Sequence, residues 1–544
     1  MNRSITRNPV ILNSVTATLP YVLLTAAFVA YLVARNVLLA TSILPSTGFV
    51  SVLLSILCAL PFAQLRYSDL PPFLGIFIRG IGIVVLAQVF FDGIDFAPGS
   101  PNLVFGTGDT TIFYRYGALV ALISGVLAMG RPAFLITLFS YYTIFRMLIG
   151  VDTGIDVVHT DYASMLDTGL FCTVGGVVVV AATSSSILSR LDWVARLGFT
   201  GDPARLRVEA CLLVWAAAVG AHLGNYFWSG ITKLDAGGPE PLTWLFHNVT
   251  QTSILMGLER GDNPLSAWPG LLQAIWDTFA TFALPLNAFV LGAQLFAPAA
   301  ILHRRVLLAL TVFYDLFHIG VYLTLGALFF FWIIVNLLVF MSAQKLPGRS
   351  LTNGMRVIML LAIVFGDRYF YTNYLGWLDG AKISSPRFFA QDRDGKSALI
   401  PGTYFGIFSY DLAMGRSYVP QNFFPMRFGG NTHNLADWRD AQECGPMRLA
   451  EQNTGVTLDA VRDLALFTDR FAREHPWYKD WNTYYYYPHH MMPNPLDFSA
   501  FNAMKIDDIV SYIYTVDSVC LGLKDGRLVR NVKQHWEYRI PVAN

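Results

Sequence analysis

The sequence predicts an all-α polytopic membrane bundle of about eleven spans, with a small extracytoplasmic α+β domain at its C-terminal end. Three observations carry that expectation. Of 544 residues, 54% are apolar and only 14% charged, where an ordinary globular chain is about 25% charged; so few charges would not cover the surface of a soluble protein this size. Mean hydropathy is +0.46. Apolar runs long enough to cross a bilayer succeed one another as far as residue 377, and from 380 onward the composition turns globular. A net charge of +1 without a basic block excludes nucleic-acid binding. The same composition excludes a disordered, coiled-coil or collagen-like chain. Five cysteines are too few for a disulfide scaffold.

The spans fall near 18–40, 48–64, 72–91, 113–130, 132–149, 163–184, 207–230, 268–296, 304–325, 327–342 and 355–377. The first follows Arg3 and Arg7 and is too long for a signal-peptide core, so it reads as an uncleaved anchor. Loop charges alternate in sign. Arg66, Arg131, Arg190, Arg196, Arg205, Arg304, Arg305, Lys345 and Arg349 fall on the same side as the first two arginines; Asp92, Asp95, Asp109, Asp152, Asp156 and Asp161 fall on the other. Lys and Arg mark the cytoplasmic side. The N-terminus is therefore expected in the cytoplasm and, with an odd number of spans, the C-terminus outside, in a bacterial inner membrane. Residues 1–379 are expected to form the bundle and 380–544 the outer domain. Between them in character, "GPEPLTWLFHNVTQTSILMGL" at 238–258 is too short and polar to span, and reads as an interfacial or re-entrant lid over Lys233.

In the outer domain Leu458, Val461, Leu464, Phe467 and Phe471 recur at helical spacing behind Thr457, an N-cap residue type. Residues 402–412, 507–518 and 527–540 read as strands. An outer compartment permits disulfides, and two readings stay open for Cys444 and Cys520: a bridge, or two buried thiols.

Ionisable side chains inside apolar spans are costly, and those that persist usually face a cavity or a partner. Three spans carry polar stripes at helical spacing. His222, Tyr226, Ser229 and Lys233 lie four, three and four residues apart, with Asn225 beside them. Thr311, Asp315, His318 and Tyr322 repeat that spacing, and Gln273, Asp277 and Thr281 lie four apart. Each has a bland reading: Lys233 would snorkel to the interface, and Asp315 would pair with His318 to lock packing. The coincidence of three stripes favours a shared cavity. A lysine in water stays protonated at neutral pH, but desolvation disfavours an ammonium, and a neutral amine at membrane depth is a general base or nucleophile. Its natural substrate is a weak acid that partitions into lipid, such as a quinol. His318 with Asp315 would pass the proton on.

At these residues "YFWSGITKLDAG", followed by Trp244, resembles the membrane motif of vitamin K-dependent gamma-glutamyl carboxylase and its bacterial relatives, the HTTM superfamily. "FHIGVYLTLGALFFFWIIVNLLVF" is similar to the family's Phe-His stretch. The resemblance covers residues 205–345; residues 159–185 depart from the carboxylases, and the C-terminal domain is much shorter than in the animal enzymes. In that family the motif lysine deprotonates reduced vitamin K, oxygen adds to the ring, and the strong base so formed removes a γ-proton from a substrate glutamate before CO2 adds. The resemblance implies Lys233 as the base, a reduced quinone and O2 as the small molecules consumed, no metal, and a secreted peptide or protein as a client. His222, Asn225, Tyr226, Ser229, Asp277 and Tyr322 would surround the substrate. Two other readings stand beside this one: a non-catalytic HTTM protein that matures a secreted peptide, and a proton-coupled transporter in which the same stripes form a relay. "WNTYYYYPHHMMPNP" at 481–495 holds His489, His490, Met491 and Met492, ligand types suited to copper, but adjacent residues rarely face one ion; it reads as an aromatic interfacial loop.

Overall fold

In a computed structural model, the described residues are 9–542 apart from 96–111, 154–159, 185–201, 237, 239, 241, 377–378, 409–421, 424–434, 443, 447–449, 452–455, 476 and 480–491. The 481–491 part of the aromatic loop, with His489 and His490, lies outside them, as do Asp109, Asp156, Arg190 and Arg196.

Helices α1 (Pro9–Thr41), α2 (Pro45–Ala59), α3 (Pro72–Asp95), α4 (Ala118–Ala128), α5 (Leu135–Thr153), α6 (Thr160–Ala182) and α7 (Pro203–Asp235) lead to the short α8 (Thr243–His247) and α9 (Ser253–Arg260). Then come α10 (Pro269–Thr281), α11 (Ala283–Leu295), α12 (Arg304–Leu325), α13 (Phe330–Ala343) and α14 (Asn353–Phe365). Among the described residues, six helices are long and apolar enough to cross a membrane, or seven if α10 and α11 count as one bent span. Those two halves meet at 82°. Pro285 has no N–H for the Thr281 carbonyl, so the ladder breaks there. The expected runs at 48–64, 113–130 and 327–342 form shorter apolar helices. The run at 355–377 stops being helical after Phe365 and a 3₁₀ turn at Gly366–Arg368. The outward faces suit lipid: Val312, Leu316, Ile319 and Leu323 form an exposed apolar stripe along α12, opposite the buried Thr311, Tyr314 and His318.

Helix α7 runs through the middle of the bundle, buried from Ala210 to Tyr226. It crosses α14 closely because Gly220 and Gly224 form a small-xxx-small pair. A Cβ on Gly220 would lie 2.5 Å from the Met359 carbonyl oxygen, and one on Gly224 would lie 3.3 Å from that of Ile363.

The C-terminal part holds an antiparallel sheet in the order β2-β1-β5-β6, built from β1 (Lys382–Asp392), β2 (Ser397–Leu399), β5 (Ile509–Lys524) and β6 (Arg527–Pro541); β3 (Asn422–Phe423) and β4 (Ala450–Glu451) pair separately. Helix α15 (Leu435–Gln442) precedes α16 (Leu458–Glu474), which starts where Thr457 accepts a hydrogen bond from the Ala460 N–H at 3.1 Å. The strand expected at 402–412 is a correction. Gly402–Phe408 is a 3₁₀ turn, because Gly406 takes a φ of +55° and Tyr404 is buried with its hydroxyl 3.2 Å from that of Tyr512. Cys444 and Cys520 are disulfide-bonded, with Cα atoms 5.6 Å apart.

Two contacts fasten sheet to helices. Glu259 of α9 accepts from Ser385 at 2.7 Å and from Arg530 at 2.8 Å, and Arg530 also donates to Asp517 at 2.6 Å. The β5–β6 turn meets the start of α10: the Gly526 N–H donates to Gln273 at 2.9 Å, and a Cβ on Gly526 would overlap the Pro269 carbonyl. Gly220→Leu should separate α7 from α14 and cost about 1–3 kcal/mol, read as a lower melting temperature in detergent than Ala204→Leu produces at an exposed position of the same helix.

Candidate functional site

The polar face of α7 serves two different neighbours. In its last turn Lys233 is buried, 5% exposed. Its Nζ donates to the Leu375 carbonyl, lies 3.5 Å from that of Ser229, and sits 5.5 Å from the centre of the Trp244 ring. Trp244 belongs to α8, within the segment expected to lie over the lysine. One turn back, Ser229 Oγ accepts from the Leu375 N–H at 3.2 Å and lies 3.3 Å from the Asn373 carbonyl. Asn225 Oδ1 accepts from the Asn373 N–H at 2.9 Å, while its Nδ2 donates to Ser164 at 2.8 Å. These side chains thus hold the extended segment that follows α14.

His222 and Tyr226 turn toward α12 and α13. The hub is Asn336 of α13, 0% exposed. Its Oδ1 lies 2.9 Å from His222 Nε2, and its Nδ2 donates to the Tyr226 hydroxyl and to Asp315 Oδ1, both at 2.9 Å. Tyr226 stacks on Tyr314 with ring centres 3.8 Å apart. His318 packs against Tyr226, Phe329 and Trp332. Its Nδ1 and the Trp332 Nε1 are buried without a hydrogen-bond partner among the described residues.

Several expectations change here. Asp315 does not pair with His318, because the Asn336 amide takes its Oδ1. No hydrogen bond or ion pair among the described residues joins Lys233 to Asp315 or His318; Lys233 lies about 10 Å further along the α7 axis than Tyr226. Asp277 does not enter either group. It is exposed and accepts from Gln273 at 3.0 Å, because the bend after Thr281 turns α10 toward the β5–β6 hairpin. Tyr322 is half-buried and makes no hydrogen bond to the cluster among the described residues.

Two functional groups escaped the sequence reading. Asn336 sits alone in "FFFWIIVNLLVF", where an isolated amide in an apolar run was the available signal. Asp379 lies in the connector, with no helical period to mark it. It is half-buried, its Oδ2 accepts from Asn248 at 2.9 Å, and its N–H donates back to Asn248 at 3.0 Å. Burial pushes its carboxyl up to about 6, against the pull of the Asn248 amide and the nearby Lys233 amine. Among the described residues no group of three His, Cys, Asp or Glu is placed to hold a metal ion.

The helices and the sheet define the class: a mainly helical protein, compatible with multiple membrane passages, bearing a small antiparallel sheet. The chain matches no protein-family model, no curated protein and no solved structure.

Asn336→Ala should strand His222, Tyr226 and Asp315 at once. A cost of about 1–3 kcal/mol for each buried group left unpaired predicts a large fall in detergent melting temperature, and Asn336→Gln should recover part of it. Asp379 predicts a pH effect. Its folded value of about 6 exceeds the ordinary 3.8, so its contribution to stability is complete below 3.8 and lost as pH rises through about 6. A component of the protonated-carboxyl infrared band should disappear as pH rises through about 6, and Asp379→Asn should lack that component.

Proposed function

We propose that this is a polytopic membrane protein of about eleven passages, N-terminus cytoplasmic and sheet domain extracytoplasmic, in which Lys233 acts as a base toward a lipophilic weak acid. The observation that carries the proposal is the burial of the Lys233 amine under Trp244, with a carbonyl rather than a carboxylate on its nitrogen. A carboxylate bonded to that nitrogen would hold its proton; a carbonyl accepts an N–H from amine and ammonium alike, so the bond to Leu375 survives deprotonation.

The substrate class that fits is a hydroquinone. The Trp244 ring over the amine suits a flat aromatic weak acid whose hydroxyl reaches the nitrogen. In this reading the amine takes one hydroxyl proton, the hydroquinonate gives two electrons to O2, and O2 leaves as hydrogen peroxide with the two protons while the ring becomes the quinone and the amine is left neutral again. That agrees with the likeness of the Lys233 motif to the gamma-carboxylase/HTTM proteins. A peptide client and carboxylation are the further steps that likeness implies.

A second reading has its own observation: Lys233 donates to the Leu375 carbonyl and so fastens the connector to α7. One experiment separates the two. Purified protein given a reduced naphthoquinone should consume oxygen above the rate of spontaneous oxidation. Lys233→Met should lower that excess at least a hundredfold while its melting temperature stays within a few degrees of wild type. Equal rates in the two proteins remove the base. A Lys233→Met protein that melts early and loses no rate per folded molecule leaves the fastener alone.

A further inference from the structure

A cavity of about 140 Å³ lies between α1, α5 and α6, lined also by Tyr371 of the connector and not by Lys233. Its walls are mainly apolar, with Leu38, Leu39, Met147 and Leu170 among them, and Arg35, Arg146 and Asp167 also line it. Arg35 lies within a stretch of α1 apolar enough to span a bilayer, and its side chain remains 25% exposed. It spends one nitrogen on the protein: Nε donates to the two oxygens of Asp167 at 3.2 and 3.3 Å. Its two terminal nitrogens make no hydrogen bond to a described residue. A guanidinium has five N–H donors and a fork that matches carboxylate or phosphate, so four are left for the cavity or its mouth.

The one carboxylate in the lining does not close the site. Asp167 is also taken by the Tyr371 N–H at 2.7 Å. The pair with Arg35 Nε leaves it occupied and turned toward the connector. The second guanidinium, Arg146, lies 5.9 Å from the centre of the Tyr162 ring on the opposite wall. A cationic fork within an apolar slot at membrane depth suits a ligand that has both an anionic head and an apolar tail.

We propose that this cavity binds the phosphate or carboxylate head of an anionic amphiphile, with Arg35 as the principal contact and the tail lying along the Leu38, Leu39 and Met147 wall. The full chain in neutral detergent would be titrated with dioctanoyl phosphatidic acid, dioctanoyl phosphatidylcholine and inorganic phosphate, and bound ligand read by native mass spectrometry. Phosphatidic acid should bind at least tenfold more tightly than phosphatidylcholine. Ala163→Phe, which fills the cavity and leaves its charges alone, should abolish that preference. The paired change Arg35→Gln/Asp167→Asn, which strands no buried charge, should abolish it too. Equal affinity for the two lipids overturns the proposal in the wild-type protein alone, whatever the variants do. Unchanged preference in both variants places the lipid elsewhere and overturns it as well. Inorganic phosphate binding as tightly as phosphatidic acid overturns the amphiphile and identifies a free anion as the occupant.

Discussion

An extended backbone lying among apolar helices is the constraint on which the interior depends. Residues 369–375 leave the last helix and pass through the bundle without a strand beside them. The N–H groups of Tyr369 and Phe370 turn back to the Gly366 carbonyl, and several of the remaining N–H and C=O groups are met by side chains, since an apolar core offers no partner. Tyr31 reaches the Tyr369 carbonyl, Asp167 the Tyr371 N–H, Asn225 the Asn373 N–H, Ser229 both neighbours of Tyr374, and Lys233 the Leu375 carbonyl. Remove this segment, and half of the polar face of α7 would have nothing to hold.

That constraint separates two duties that share one helix. Asn225, Ser229 and Lys233 meet the connector. His222 and Tyr226, further down, meet Asn336 and through it Asp315. The separation follows from helix geometry: four-three-four spacing keeps these residues on one face, so it is the rise of about 1.5 Å per residue that carries His222 and Lys233 about 16 Å apart to different neighbours. At Lys233 bracing the connector coincides with burial of an amine. A group that only braced the connector could be any donor; an amine under an indole ring, near a carboxyl whose proton leaves at about 6, also has chemistry to offer.

The same connector ties the bundle to the C-terminal sheet. It runs from α14, past Asp167 and Lys233, to Asp379 and into β1. Glu259 and Gln273 secure the sheet from α9 and α10. The cavity at Arg35 and the amine at Lys233 therefore touch one strap at Tyr371 and at Leu375, and Tyr371 gives its N–H to the carboxylate that holds Arg35. A ligand in that cavity would press on the segment that Lys233 grips.

Composition and period alone determined the helical bundle, the position of its apolar runs, the change of character near residue 380, and the polar stripes of α7 and α12, because burial preference and 3.6-residue spacing are local properties of a chain. The helix after Thr457 was legible for the same reason. Which stripe meets which was decided by the tertiary structure. Gln273 and Asp277 have the spacing of a cavity wall, yet the bend at Thr281 gives them to a hairpin. Asn336, a single amide without a period, becomes the hub because α13 carries it into contact with three other side chains. Asp379 reaches Asn248 only because the connector runs past it. Partners distant in sequence leave no pattern at either end, so the pairing of Asp315 with Asn336 rather than His318, and of Lys233 with a carbonyl 142 residues away, belonged to the packing.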